Sequence, residues 1–365
     1  MSIAAPMLVI SLIIYAGLFG LFIYLVILII RALKKYIRSK DVRAEKSVLK
    51  QNLGEVLKDL RTKNKRRKAY MIYSKYDVMK RCISEMNFPD YRYEQLIKMI
   101  FAQHVSDFHA MYMLPERLRA NLAETFGASA CGLVPIAHQA SGQADKVLFQ
   151  LKDGNCVETV NLHYKKGWES FCISSQCGCG FGCKFCATGA IGHKRNMTAD
   201  EITDQILYFY LAGHKMNSVS FMGMGEPFAN PNLFDALKIL TNPSLFGLSQ
   251  RRITISTIGM IPGIKRLTRD FPQVNLAFSL HSPFEKQRSE LMPINQTYPL
   301  HKVMDALDAH VANTKRRLFL AYINAGCLIV TSRVLGECDP STSNLIALAK
   351  LYRTTVEEIL QNIKQ

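Results

Sequence analysis

Acidic residues are scarce in this chain. Its 365 residues hold 29 Asp and Glu against 46 Lys and Arg, a formal net charge of +17. A field of that sign draws in a polyanion such as RNA or an anionic membrane surface, and by itself does not choose between them. Charge is missing altogether from Met7 to Ile30, an apolar run long enough to span a bilayer. No basic residue precedes the run, it exceeds a usual signal-peptide core, and bulky Ile29 and Ile30 stand where a cleavage site needs small residues. Those features argue against a secretory leader. Without one, a disulfide framework is the poorer account of ten cysteines, five of which crowd into Cys172 to Cys186. A metal site in a reducing compartment is the better account. Wholesale disorder is excluded by a 48% hydrophobic composition.

Directly after the apolar run come Arg31, Lys34, Lys35, Arg38 and Lys40. The positive-inside rule then predicts a single-pass anchor over 7–30, with everything downstream in the cytoplasm. Five segments follow from texture: 1–40, the transmembrane segment and its basic flank; 41–75, a basic helical linker; 76–167, an accessory domain; 168–323, a core; and 324–365, a helical tail. In the accessory domain, Tyr93 to Ile100 and Pro115 to Phe126 read as helices, and Val134 to Tyr164 alternates around Asp153 and Gly154 as a strand hairpin. The core repeats strand and helix, with strands at Phe171 to Ser174, Ser218 to Met222, Ile253 to Ser256, Val274 to Leu280 and Leu318 to Ile323. An α/β class follows, with a parallel barrel or a large part of one. Thr198 and Glu201 form a capping box at the head of the helix running to Leu211. In such barrels, chemistry sits where strands pass into loops.

The suspicious residues stand at those places. After the first core strand the chain reads Cys179-Gly-Phe-Gly-Cys183-Lys-Phe-Cys186. Gaps this short let three thiolates of one loop converge on three irons of a cube, leaving the fourth iron open. A four-cysteine zinc site recruiting Cys177, or buried structural thiols, are the competing accounts; zinc knuckles normally bring two separated pairs. Met222-Gly-Met-Gly225-Glu226-Pro227 closes the second strand, Ser256 the third, and Ser279-Leu280-His281 the fourth. Together they set small polar groups around one mouth.

These segments, with Trp168 to Gly189 and Met292-Pro-Ile-Asn295, resemble the Cfr and RlmN family of radical S-adenosylmethionine (SAM) rRNA adenosine methyltransferases from about Tyr76 to Ile323, and Cfr more closely. The resemblance implies a partial (βα) radical SAM barrel, truncated after about five strands, behind a small helical subdomain. A 4Fe-4S cluster on Cys179, Cys183 and Cys186 is implied as well, with SAM bound by Gly225, Glu226, Ser256, Ser279 and His281. Glu158 matches the acidic residue that orients the adenine, and Cys172 the cysteine that takes the proton from the substrate carbon and resolves the enzyme–RNA adduct. The implied substrate is an adenosine of 23S rRNA, at carbon 8 in preference to carbon 2, with tRNA as the alternative RNA. An external electron donor such as flavodoxin or ferredoxin is implied too. Lys165, Lys166, Lys194, Arg195, Arg251, Arg252, Arg316 and Arg317 are candidates for phosphate contacts.

The likeness stops near Ile323. The family's Ala-Ala-Cys-Gly-Gln-like tail, whose cysteine carries the methyl group, has no counterpart in 324–365, and neither does the Asn-Pro loop that completes SAM binding. Impaired methylation is the expectation, with Cys327 and Cys338 poor substitutes. Instead, 338–360 and 49–65 are similar to the end and the first helix of a Cro/CI-type helix-turn-helix domain. The recognition helix is missing, so specific DNA reading is not expected. The contrasting account is a membrane-anchored regulatory or interaction protein of helix-turn-helix origin with a structural Cys-rich insert.

Overall fold

The computed structural model describes residues 24–32, 74–324 and 327–331. The chain divides into two units, Met1–Tyr73 and Ser74–Gln365. In the first, residues 24–32 are helical. Among the described residues no helix is long and apolar enough to cross a membrane. Most of the expected 7–30 span lies outside them, as do the two helix-turn-helix-like segments and Cys338.

The second unit opens with three helices, α1 (Lys75–Glu85), α2 (Tyr91–Phe101) and α3 (Glu116–Phe126). Ser74 caps α1 in a reciprocal box with Asp77, satisfying two backbone donors that a helix start otherwise leaves unpaired. Met79, Ile83, Leu96, Ile100, Leu118 and Leu122 pack between these helices, fully buried. Lys75 fastens this bundle to the core: its Nζ pairs with Asp204 and donates to Ala130 O at 2.7 Å, while its backbone N–H donates to Asp200 Oδ2 at 2.8 Å.

Three antiparallel strands follow, β1 (Val134–Ala140), β2 (Ala144–Gln150) and β3 (Cys156–Tyr164). The expected hairpin is therefore a three-stranded meander. Its β2–β3 turn lies at Asp153 and Gly154 as read, with Gly154 in the left-handed region at φ +82°. The extra strand escaped notice because β1 is exposed along its whole length and carries a bulge between Pro135 and Ala137, so it shows no buried face.

The core strands are β4 (Trp168–Cys172), β7 (Ser218–Phe221), β8 (Ile253–Thr257), β9 (Asn275–Ser279) and β10 (Leu318–Asn324), all parallel neighbours in that order. The small pair β5 (Gln176–Gly178) and β6 (His193–Asn196) flanks the short helix α4 (Ala187–Ile191). Helices α5 (Ala199–Leu211), α6 (Leu233–Thr241), α7 (Ile261–Asp270), α8 (Glu285–Leu291) and α9 (Leu300–Thr314) make the connections. The capping box at the head of α5 is formed, with Thr198 N–H donating to Glu201 Oε2 at 2.8 Å and Glu201 N–H to Thr198 Oγ1 at 3.1 Å. After β10 the chain turns back as β11 (Cys327–Thr331), antiparallel to it. The product is one nine-stranded mixed sheet, β1-β2-β3-β4-β7-β8-β9-β10-β11, whose middle is the expected five-strand parallel run.

Alternation sorts the two faces of that run. Phe171, Val219, Phe221, Ile253, Ile255, Leu276 and Phe278 are buried on one face. Ser170, Cys172, Ser218, Ser220, Thr254, Ser256, Asn275 and Ser279 stand half-buried on the other, as the strand registers require.

Candidate active site at the ends of the parallel strands

The loop that leaves β4 carries the cysteines. Tight backbone packing shapes it: a Cβ on Gly178 (φ +79°) would fall 1.8 Å from Gly192 O, while Gly189 packs at van der Waals distance on the backbone of Cys183 and on Cys186 Cβ. Cys179 N–H donates to Gly192 O at 3.1 Å, and Lys184 N–H to Leu291 O at 3.0 Å, tying the loop to β6 on one side and α8 on the other. Cys179, Cys183 and Cys186 are all free, half-buried thiols. Burial pushes Cys183 up to about 11, and the negative charges that Cys179 and Cys186 would carry push it the same way, so the three sense one another. Burial likewise raises Cys179, against backbone hydrogen bonds from Phe181 and Glu226.

Among the described residues no three His, Cys, Asp or Glu side chains are gathered around the position of a single metal ion. An iron–sulfur cube asks for something else, one thiolate for each of three irons. Three soft donors on one loop, close enough to interact and held in no disulfide, fit that group in number and chemistry.

Glu226 lies beside the loop. It is buried, and desolvation pushes it up to about 7 against hydrogen bonds that favour the carboxylate. Its Oε1 accepts from Thr257 Oγ1 at 2.7 Å and Phe228 N–H at 3.3 Å, and its Oε2 from Ile258 N–H at 2.9 Å. A carboxylate has about four acceptor sites, so one stays free on Oε2. Gly225, at φ +95°, packs so closely on Gln176 that an added Cβ would sit 2.5 Å from that residue's Cβ, and Gln176 Oε1 accepts from Glu226 N–H at 2.9 Å. Glycine is required there on both counts.

Ser256 and Ser279 meet across β8 and β9 with their Oγ atoms 3.2 Å apart. His281 follows β9 in the left-handed region (φ +55°) and is buried. Desolvation, with the nearby Arg288 charge, holds its imidazole down to about 4, so it is neutral at pH 7. Its Nδ1 is buried with no hydrogen-bond partner among the described residues. The Phe185 ring, between Cys183 and Cys186 in the loop, meets the imidazole edge-on at 4.5 Å. The cysteine loop thus touches Glu226 through Cys179 and His281 through Phe185.

Cys172 ends β4 on the half-buried face, opposite Val160 of β3 and Ser220 of β7. Burial raises its thiol, opposed by hydrogen bonds from the Ser220 hydroxyl and the Met222 backbone. Glu158 stands two residues from Val160 on that same face, half-exposed and paired with Lys146 Nζ at 2.9 Å. Cys172 and Glu158 therefore share the face of the sheet that also carries Ser256 and Ser279.

The basic residues divide. Arg195 holds both Glu201 oxygens at 2.8 Å and also pairs with Asp153, which commits it to the fold rather than to a phosphate. Arg316 bonds Asn275, Arg251 donates to Gln273 at 3.1 Å, and Arg252 lies 5.6 Å from the Trp168 ring centroid. Sequence reasoning missed Thr257, Gln176 and Arg288. Thr257 and Gln176 adjoin motifs that were read, whereas Arg288 sits in the polar run Glu285-Lys-Gln-Arg-Ser-Glu290, which looks like a solvent face.

Comparison with known proteins bears on the whole arrangement. Residues 173–322 match the Radical SAM superfamily. Over 253 residues the chain is 74% identical to the ribosomal RNA large subunit methyltransferase Cfr of Lachnoclostridium phytofermentans, covering 69% of this chain and 74% of that one. The Cfr of Clostridium botulinum strain Hall is 65% identical over 250 residues, 68% of this chain and 73% of the relative. The crystal structure of a radical SAM methyltransferase from Sphaerobacter thermophilus superposes with a TM-score of 0.68 at 34% identity, covering 78% of this chain and 81% of that one. This chain belongs to the Cfr-type family of radical SAM methyltransferases. Membership in an enzyme family displaces the account of a regulatory protein with a structural Cys-rich insert.

Proposed function

We propose that this chain binds a 4Fe-4S cluster and SAM at the ends of its parallel strands and acts on an adenosine of 23S rRNA, at carbon 8 in preference to carbon 2. The observation that carries the reading is the contact of one three-cysteine loop with Glu226 on one side and His281 on the other. Cys179, Cys183 and Cys186 hold the cluster in this proposal. When bound there, cluster and SAM would supply one-electron radical chemistry, with electrons drawn from an external carrier such as flavodoxin or ferredoxin.

The chain's own side chains do the rest. Glu226 offers its free Oε2 site to the SAM ammonium, and a cation there returns the carboxyl to its charged form. Gly225 lets the ligand approach the backbone, the Ser256–Ser279 hydroxyls offer donors and acceptors to its polar groups, and neutral His281 presents its unpartnered Nδ1. Glu158 orients the adenine. Cys172 takes the proton from the substrate carbon, and the Ser220 hydroxyl stabilises the thiolate that this role needs. Because residues 324–365 hold no family-type carrier motif, cluster and SAM binding are expected to outlast efficient methyl transfer.

Anaerobic reconstitution tests the core of this reading. The expected result is visible absorbance and bound iron in the wild type, both lost in Cys179→Ala; zinc in place of iron, or no cluster at all, would refute it. Incubation with methyl-labelled SAM and a 23S rRNA fragment tests the remainder. Label at carbon 8 at a normal rate would overturn the impairment, and label at carbon 2 would overturn the regiochemistry.

A further inference from the structure

Arg288 is the largest fully buried side chain among the described residues. Its Nη2 donates to Ile258 O at 2.7 Å, its Nη1 points to Met292 Sδ at 3.1 Å, and its Nε is buried with no partner among the described residues. The guanidinium lies 5.0 Å from the centroid of the Phe278 ring. The Glu285 charge opposes the effect of burial on Arg288, but among the described residues the two form no ion pair, and Glu285 Oε1 accepts from Asn295 Nδ2 at 2.9 Å and Leu300 N–H at 3.3 Å. Desolvation lowers Arg288 to about 10, which leaves it charged at neutral pH. A buried cation without an anion is among the costliest arrangements a fold can hold, and removing one member of a buried pair is costly for the same reason.

Two features say where the missing anion belongs. The last residue of its helix, Leu291, accepts a hydrogen bond from Lys184 N–H, the residue after Cys183, so Arg288 and the cysteine loop are fixed to each other. The Cys183 sulfur also falls within electrostatic reach of the guanidinium. Coordinated to a metal, a thiol is deprotonated and supplies the charge.

Resting on the cluster assignment above, we propose that Arg288 is the internal counter-charge of the cysteine loop, a positioning residue that neutralises the metal-bound Cys183 thiolate and raises the reduction potential of the cluster. Each reduction adds one electron, taken from a low-potential flavin or iron–sulfur carrier, and one unit of negative charge to the site. A fixed positive charge beside Cys183 stabilises that reduced form over the oxidised one.

The test uses the full chain reconstituted anaerobically as wild type, Arg288→Lys, Arg288→Met and Arg288→Gln. Iron content, the midpoint potential from a redox titration followed by electron paramagnetic resonance, and SAM affinity are read for each. The expected result is a shift to more negative potential, with partial loss of iron, in the Met and Gln variants, and a potential near wild type in the Lys variant. Gln can still donate to Ile258 O, so it separates loss of charge from loss of packing. Wild-type potential and iron content in both neutral variants would overturn the proposal. So would an unchanged potential with weakened SAM binding, which would assign the guanidinium to the carboxylate of SAM instead. A wild type that takes up no cluster would overturn the site assignment itself, and this inference with it.

Discussion

Ile255 and Ser256 are neighbours on one strand and face opposite worlds. Ile255 joins Phe171, Val219, Phe221, Ile253, Leu276 and Phe278 on the buried face of the parallel run. Ser256 joins Cys172, Ser220, Thr254 and Ser279 on the half-buried one. A closed eight-stranded barrel fills its interior with layers of branched side chains. Here the corresponding face carries mainly hydroxyls and a thiol, with Ala277, Phe319 and Ala321 beside them toward β10. Stability is drawn from one face, and room for a ligand and its polar contacts is left on the other.

Substitutions at these two neighbours probe that division most directly. Ile255→Ala should cost about 2–5 kcal/mol in chemical denaturation, the usual range for truncating a fully buried branched residue; a loss well under 1 kcal/mol would break the contrast. Next in size is a pH effect on the buried side, where Asp200 is pushed up to about 6 from 3.8 chiefly by desolvation, with Asp204 adding to the push and Lys75 opposing it. A carboxyl raised in the native state holds its proton there after the unfolded chain has lost its own. Stability should therefore fall as pH rises from about 4 to about 6 and level off above, by about 3 kcal/mol at most. Asp200→Asn should flatten that slope in melting temperatures measured across the window, and parallel curves for variant and wild type would count against it. Smallest in stability is Ser256→Ala, which removes one hydroxyl pair and should cost about 1 kcal/mol or less. The same variant should weaken SAM binding to the reconstituted protein in a calorimetric titration. Unchanged affinity with lowered stability would reverse the roles assigned to the two faces.

Legibility in the sequence followed the range of the forces involved. The repeat of short apolar strand segments with helices between them located all five parallel strands, since buried parallel strands read as short apolar runs. The Thr198–Glu201 box is a contact across three residues and was visible for that reason. Strand β1 lies within the alternating stretch 134–164 and was not separated from β2, because it is exposed along its whole length and no buried face marks it as a strand of its own. Strand β11 was missed altogether, since 324–365 read as a helical tail and Cys327–Thr331 forms a strand antiparallel to β10.

The sequence by itself determined the donor set of the candidate site: three thiols at short spacing after a strand, Glu226 in a glycine-rich turn, and serines at two strand ends. Only the tertiary structure decided their electrical state. The raised Glu226, the neutral His281 and the uncompensated Arg288 arise from desolvation by elements distant in the chain and from charges brought beside them by folding. Arg288 shows the difference most sharply: among polar neighbours in the sequence it reads as a surface cation, and in the fold it is sealed beside the cysteine loop.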